Sequence, residues 1–191
     1  MNIHAPMQRM TIEQCLEWAD ARGGTAKSRE RWELIGGEPR RMQDPERYVH
    51  VRNKSRVERA LETAVIHAGL AYEVTADGLG VRINASEYFI PEVVVFPSGQ
   101  IDANDRFAPD PIIVVEVSSP STTKLDLTTK VAGYGSLPTI CHYLVVDPDA
   151  GELLHYRRDG DVLVAPHGPT IGDLQLEPPG IVLSIAELFR T

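Results

Sequence analysis

Glu116 interrupts the run Ile112-Ile113-Val114-Val115-Glu116-Val117, which otherwise has the composition of a strand buried on both faces. A carboxylate in such a place is expensive unless it is paired, hydrogen-bonded or bound to a cation. Glu92 repeats the pattern, because Pro91-Glu92 introduces Val93-Val94-Val95-Phe96. Two acids on neighbouring central strands can converge on one hard cation, which prefers oxygen ligands and leaves positions open for water and phosphate. The plainer alternative for Glu92 is an acid at a strand end, in water.

The chain has only four lysines, Lys27, Lys54, Lys124 and Lys130. Lys130 falls in the segment that follows the Glu116 strand, four residues after Asp126. An ammonium reaching back over the strand ends could hold a scissile phosphate or assist an attacking water. Spacing alone favours an exposed Asp126–Lys130 helix pair, worth about a few tenths of a kcal/mol. His142, His155 and His167 show no metal-ligand spacing, and neither a glycine-rich phosphate loop nor a Ser-His-Asp context is visible.

These residues need elements to hold them. Thr11 to Asp20 predicts a short helix capped by Thr11, with Ile12, Cys15, Leu16 and Ala19 inward. Arg31 to Met42 predicts a hairpin about Gly36-Gly37. Asp44-Pro45 is a good helix start, and that helix should run to about Ala68 and stop at Gly69. Its inward stripe of Val57, Leu61, Ala64 and Ala68 continues backwards through Lys54 and His50, so one end of a core-facing stripe turns polar. Either it overlooks a cavity, or the first turns protrude into solvent. Beyond it the period becomes two. Tyr72 to Thr75 and Leu79 to Ile83 predict a hairpin about Ala76-Asp77-Gly78. Tyr88 to Phe96, Pro111 to Val117 and His142 to Asp147 predict buried strands, and Thr122 to Tyr134 a helix. Glu152 to Arg158 and Val162 to Ala165 form another hairpin. Leu174 to Leu183 reads as a terminal strand broken by Pro178-Pro179-Gly180, and Ser184 as the cap of a last helix to Phe189. The order predicts an α/β or α+β sheet sandwich.

A length of 191 residues with 42% hydrophobic and 24% charged residues fits one globular domain and argues against disorder. No apolar run approaches the roughly 20 residues of a membrane span, and the first ten residues show no signal-peptide h-region. Two cysteines, Cys15 and Cys141, cannot make a disulfide framework, and the expected compartment is the cytoplasm. The net charge of −8 hides an asymmetry: residues 22 to 59 hold eleven Lys and Arg against six Asp and Glu, leaving −13 for the rest. Arg52, Arg56 and Arg59 share one helical face there. It could meet a nucleic-acid phosphate backbone, or be a solvated surface.

The segments WELIGGEPRRM, IPEVVVFPS, PIIVVEVSSPSTTKLDLTTKVAGYGSLP and HYLVVDPDAGELLHYRR together resemble the Uma-type restriction endonuclease family of the PD-(D/E)XK nuclease superfamily. The resemblance implies a restriction-endonuclease-like core, a central mixed sheet flanked by helices with extra β-hairpins and a divalent-metal site at the strand ends. It implies an N-terminal helix and hairpin over 1–45, a core over 46–150 and a C-terminal hairpin and short helix over 151–191, all within one domain. Glu92 matches the aspartate of the family's Pro-Asp motif, Glu116 the second acid, and Lys130 the lysine of the following helix. Both acids would bind Mg²⁺ or Mn²⁺. Glu33, Glu38, His50, Lys54 and Asp126 would line the site. Two departures stand out: Ser118 occupies the superfamily's usual lysine position, and Glu92 is one methylene longer than aspartate. The implied function is metal-dependent hydrolysis of DNA; the alternative is a nuclease-like module that binds nucleic acid or protein without cutting. Specificity would come from loops such as 98–110 or from a homodimer.

Overall fold

The computed structural model describes residues 9–22, 30–42, 46–119 and 125–189. At its centre is a six-stranded mixed sheet ordered β10-β9-β8-β7-β6-β3, where β3 is Tyr72–Ala76, β6 Val93–Pro97, β7 Ile113–Val117, β8 His142–Asp147, β9 Glu152–Asp159 and β10 Val162–Val164. Only β7 and β8 run parallel within it. Alternate residues of its strands supply two cores. Val93, Val95, Ile113, Val115, Leu144 and Val146 face one side, with Val57, Leu61 and Val65 of helix α2 (Tyr48–His67). Val94, Phe96, Val114, Tyr143 and Val145 face the other, with Phe89 and Tyr134. Burial on both faces is why these strands read as continuous β-branched runs.

A smaller sheet, ordered β2-β1-β5-β4, carries the N-terminal hairpin: β1 is Trp32–Ile35, β2 Glu38–Arg41, β4 Val81–Asn84 and β5 Glu87–Phe89. Helix α1 (Ile12–Arg22) packs on it through Ile12 and Cys15. Thr11 and Gln14 exchange backbone-to-side-chain hydrogen bonds at the helix start, as the capping residue predicts.

Several local expectations change. The segment 72–83 is not a hairpin: β3 pairs with β6 in the large sheet, and β4 with β5 in the small one. Asp77 and Gly78, at φ 54° and 109°, turn the chain from one sheet to the other. The run 88–96 is two strands, because Pro91 offers no N–H and the chain breaks between Phe89 and Val93. The long helix begins at Tyr48 among the described residues, and Asp44-Pro45 lies outside them. After β7, the described helix is a π-helical turn, Asp126–Lys130, running into α3 (Val131–Gly135); the expected start at Thr122 lies outside the described residues. The C-terminal segment forms a hairpin, β11 (Asp173–Leu176) with β12 (Ile181–Ser184), before α4 (Ile185–Leu188). Ser184 stands at that helix's N-cap but makes no side-chain capping bond.

Candidate active site

The register of β6 and β7 pairs Val93 with Val115, so Glu92, just before β6, and Glu116 lie at the same end of the central pair, while their carboxylates are engaged from opposite faces of the sheet. Both are buried, at 8% and 3% exposure. They belong to two adjoining groups, each built around one lysine.

Glu116 lies on the face shared with Tyr134 and Tyr143. Its Oε1 accepts hydrogen bonds from Lys130 Nζ at 2.8 Å and from the Tyr134 hydroxyl at 2.9 Å. The same ammonium lies 3.0 Å from Glu33 Oε1 and 3.9 Å from Asp126 Oδ1. Glu33 Oε1 also accepts the Ile90 N–H at 3.0 Å, which ties the N-terminal hairpin to the break before Glu92. The π-helical turn turns Asp126 and Lys130 inward together, and such turns are frequent at functional sites. Gly133 lets α3 approach Phe89: a Cβ there would stand 2.4 Å from the ring. Burial pushes the Glu116 carboxyl well above the usual carboxylate range, against the Lys130 charge that draws it down. Burial alone would lower the Lys130 ammonium, but Glu116, Glu33 and Asp126 hold it above its ordinary value.

The second group lies where α2 meets the strand ends. Lys54 Nζ is 2.6 Å from Glu92 Oε2, 2.8 Å from Glu46 Oε2 and 2.9 Å from Asp77 Oδ1. Arg31 bridges the same Glu46 and Asp77 from outside. His50 Nε2 donates to the Val117 carbonyl at 2.5 Å, and its Nδ1 faces Glu46 Oε2 at 3.0 Å. The ring thus grips the backbone one residue beyond Glu116 and lies 3.8 Å from Glu92 Oε1. Burial would lower the Lys54 ammonium, but Glu92, Glu46 and Asp77 raise it above its ordinary value. Glu46 is held below the usual carboxylate range: burial raises it, and the hydrogen bonds and charges of Lys54 and His50 together more than offset this.

Glu33, His50, Lys54, Glu92, Glu116, Asp126 and Lys130 are therefore brought together at one end of the sheet. The inward stripe of α2 does turn polar over the strand ends, and its first turns do not protrude. Asp126 and Lys130, which spacing alone placed on an exposed helix face, are both buried. Glu38 is exposed on β2 and outside the group. Arg52, Arg56 and Arg59 are also elsewhere. At about 100° per residue they lie on the far side of α2 from His50 and Lys54. Arg56 and Arg59 line a groove with His67, Asp173, Ser184 and Glu187, and Arg56 donates to the Leu188 carbonyl at 3.4 Å. Sequence reasoning missed Glu46, Asp77 and Arg31. Glu46 was detectable, four residues before His50 and eight before Lys54, on one helical line extended past the helix start.

Glu46, His50 and Glu92 each place one ligand atom within 4.8 Å of the others, the only such set of three among the described residues. Two carboxylates and an imidazole suit a divalent ion such as Mn²⁺ or Mg²⁺. Of the two acids expected to share an ion, Glu92 belongs to this set and Glu116 does not; Glu116 is held by Lys130 and Tyr134.

The chain is similar to two proteins of Synechocystis sp. (strain ATCC 27184 / PCC 6803 / Kazusa). It is 27% identical to "Uncharacterized protein slr1290" over 97% of this chain and 94% of that protein. It is 29% identical to "Uncharacterized protein sll1609" over 47% of this chain and 52% of that one. A crystal structure from Anabaena variabilis ATCC 29413, described as "a putative nuclease belonging to DUF820", matches with a TM-score of 0.66 at 16% identity, covering 94% of this chain and 97% of the other. At that identity the likeness shows a shared fold. The family profile Uma2, described as "Putative restriction endonuclease", matches residues 12–186, which include both lysine-centred groups. On that match, the chain belongs to the Uma2 family.

Proposed function

We propose that this protein is a divalent-metal-dependent nuclease that hydrolyses phosphodiester bonds in DNA. The observation that supports the reading is that two acids, Glu92 and Glu116, are buried at the same end of the central strands, each against a lysine from the helix on its own face. Glu92, Glu46 and His50 would hold the ion, whose donor set they fit. When bound, such an ion polarises a phosphoryl oxygen and activates a water. Lys130 fixes the Glu116 carboxylate through one oxygen and adds positive charge where a phosphoryl group gains negative charge. Tyr134 donates to that same oxygen and leaves the other for substrate or solvent. Ser118, at the usual lysine position, is buried with its N–H donating to the Val146 carbonyl, and in this reading the helix-borne Lys130 supplies the charge in its stead.

A second reading, a nuclease-like module that grips nucleic acid without cutting, is favoured by one observation. Each group of acids already contains its own ammonium, so the site is partly neutralised by the chain itself.

The test of the first reading is a melting experiment with Mg²⁺ or Mn²⁺. The ion should raise the wild-type melting temperature, and Glu92→Gln should abolish most of the rise, because binding to the native state alone stabilises it. A rise undiminished in Glu92→Gln would take Glu92 out of the metal site.

A further inference from the structure

The two lysines differ in how firmly their acids are engaged. Around Lys130, Glu116 Oε1 also accepts from Tyr134, and Glu33 Oε1 also accepts from the Ile90 amide. That group is cross-braced by neutral donors and includes no imidazole. Around Lys54, the ammonium reaches three carboxylates that come from separate places: the entrance to α2, the turn after β3, and the start of β6. Glu92 Oε2 lies 2.6 Å from the ammonium yet is buried without an aligned hydrogen bond. The contact is a close ion pair off the ideal hydrogen-bond angle. Two of the three carboxylates, Glu46 and Glu92, are also two of the three groups whose ligand atoms converge with His50.

We infer that Lys54 is an internal counter-cation for the Glu46–His50–Glu92 group, and that its ammonium and a divalent cation are alternative occupants of the same carboxylates. The inference rests on the metal-dependent reading above and deepens it by naming the residue that regulates ion entry. Without an ion, three acids packed within reach of one another would repel. Lys54, at 4% exposure, is the cation that reaches all three, while Arg31 reaches Glu46 and Asp77 from outside and leaves Glu92 to Lys54. An entering ion needs the Glu92 and Glu46 carboxylates, which Lys54 now holds through Oε2 of each. The four-carbon stem lets the ammonium swing away while the helix stays fixed. Ion binding then becomes a competition, weaker than the ligand set alone would give.

The inference is tested by calorimetric titration of Mn²⁺ into the full-length wild type and Lys54→Met, together with amine labelling of the wild type. Lys54→Met should bind Mn²⁺ on the order of tenfold more tightly, since one neighbouring unit charge commonly moves a site's cation affinity by that much or more. It should also melt lower than wild type without metal and gain more from Mn²⁺. In the wild type, which needs no variant to fold, acetic anhydride should modify Lys54 faster with Mn²⁺ than without, read from the Lys54 peptide by mass spectrometry. Mn²⁺ bound by the wild type with Lys54→Met no tighter, or with Lys54 labelling unchanged, would overturn the inference and leave the metal reading standing. Binding by Lys54→Met but not by wild type would support it in its strongest form. Absence of binding in both proteins would remove the metal reading, and this inference with it.

Discussion

Glu116 and Lys130 meet at 2.8 Å, an acid near the end of a buried strand and a base from the helix that follows it. Neither is tolerable alone in that place. Lys130→Met should destabilise the protein by about 3 to 5 kcal/mol, the usual result of leaving a buried charge without its partner. Adding Glu116→Gln to Lys130→Met should cost much less than the two single losses summed, because Glu116 is the nearest of the carboxylates that Lys130 neutralises. Urea unfolding of the four proteins measures this; additive losses would show that the pair is not coupled.

Gly133 sets how closely the Lys130-bearing helix approaches the small sheet. Gly133→Ala places a methyl group 2.4 Å from Phe89, inside van der Waals contact. Repacking should cost about 1 to 3 kcal/mol. Any shift of α3 also moves Lys130 and Tyr134, so cleavage should fall by more than the fraction of protein unfolded. Gly135→Ala, whose nearest neighbour is the Leu163 side chain at 3.8 Å, is the control and should stay near wild type in both respects.

Stability in mild acid should depend on a pair far from the acids. Pro178 O can only accept, so His142 Nε2 donates to it at 2.7 Å, and His142 Nδ1 accepts from His155 Nε2 at 2.8 Å. Burial lowers both rings from 6.5 to about 4, with the Pro178 bond opposing it for His142 and the charge of Arg157 adding to it for both. Between those values the unfolded chain binds protons that the folded one refuses. The stability is therefore whole above pH 6.5 and is lost progressively as the pH falls toward about 4. The melting temperature should drop over that window, and His155→Gln should flatten the drop. A variant that keeps the wild-type pH profile would assign the acid lability to other groups.

The arginines on the far side of α2 make a separate prediction. If DNA phosphates run along that face, Arg52, Arg56 and Arg59 changed together to Gln should reduce the slope of log affinity against log salt by about two to three. Metal affinity should not change, since none of the three contacts the lysine-centred groups. An unaltered salt slope would make the face a solvated surface and place DNA elsewhere.

Much of this arrangement was legible in the residues. The both-faces-buried strands announce themselves because nearly every position is β-branched, and the lone acids at 92 and 116 stand out against that background. The inward line through His50 and Lys54 follows from helical spacing. What was hidden is long-range. Asp77 read as a turn residue, and only the folded chain shows its carboxylate on Lys54. The switch between sheets at residues 77 and 78 could not be told from a hairpin, because a turn's residues do not say which strands flank it as partners. Glu38 and Glu33 looked equivalent in one hairpin, yet β1 lies between β2 and β5 while β2 is the edge strand, and only Glu33 is buried. Arg52, Arg56 and Arg59 shared a face as read, but helical spacing alone did not say which neighbours that face would meet.

The central claim is that the buried acids Glu92 and Glu116 support metal-dependent cleavage, and the most direct measurement is breakage of supercoiled plasmid DNA. Wild type, Glu92→Gln and Glu116→Gln should be compared with Mg²⁺, with Mn²⁺ and with a chelator, each protein first shown to be folded by circular dichroism. The account predicts nicked or linear DNA from wild type with at least one of the ions, none with chelator, and a loss of about a hundredfold or more in each variant, of the size seen when an electrostatic catalytic group is removed. Cleavage that persists in chelator, or at the wild-type rate in both folded variants, would contradict it.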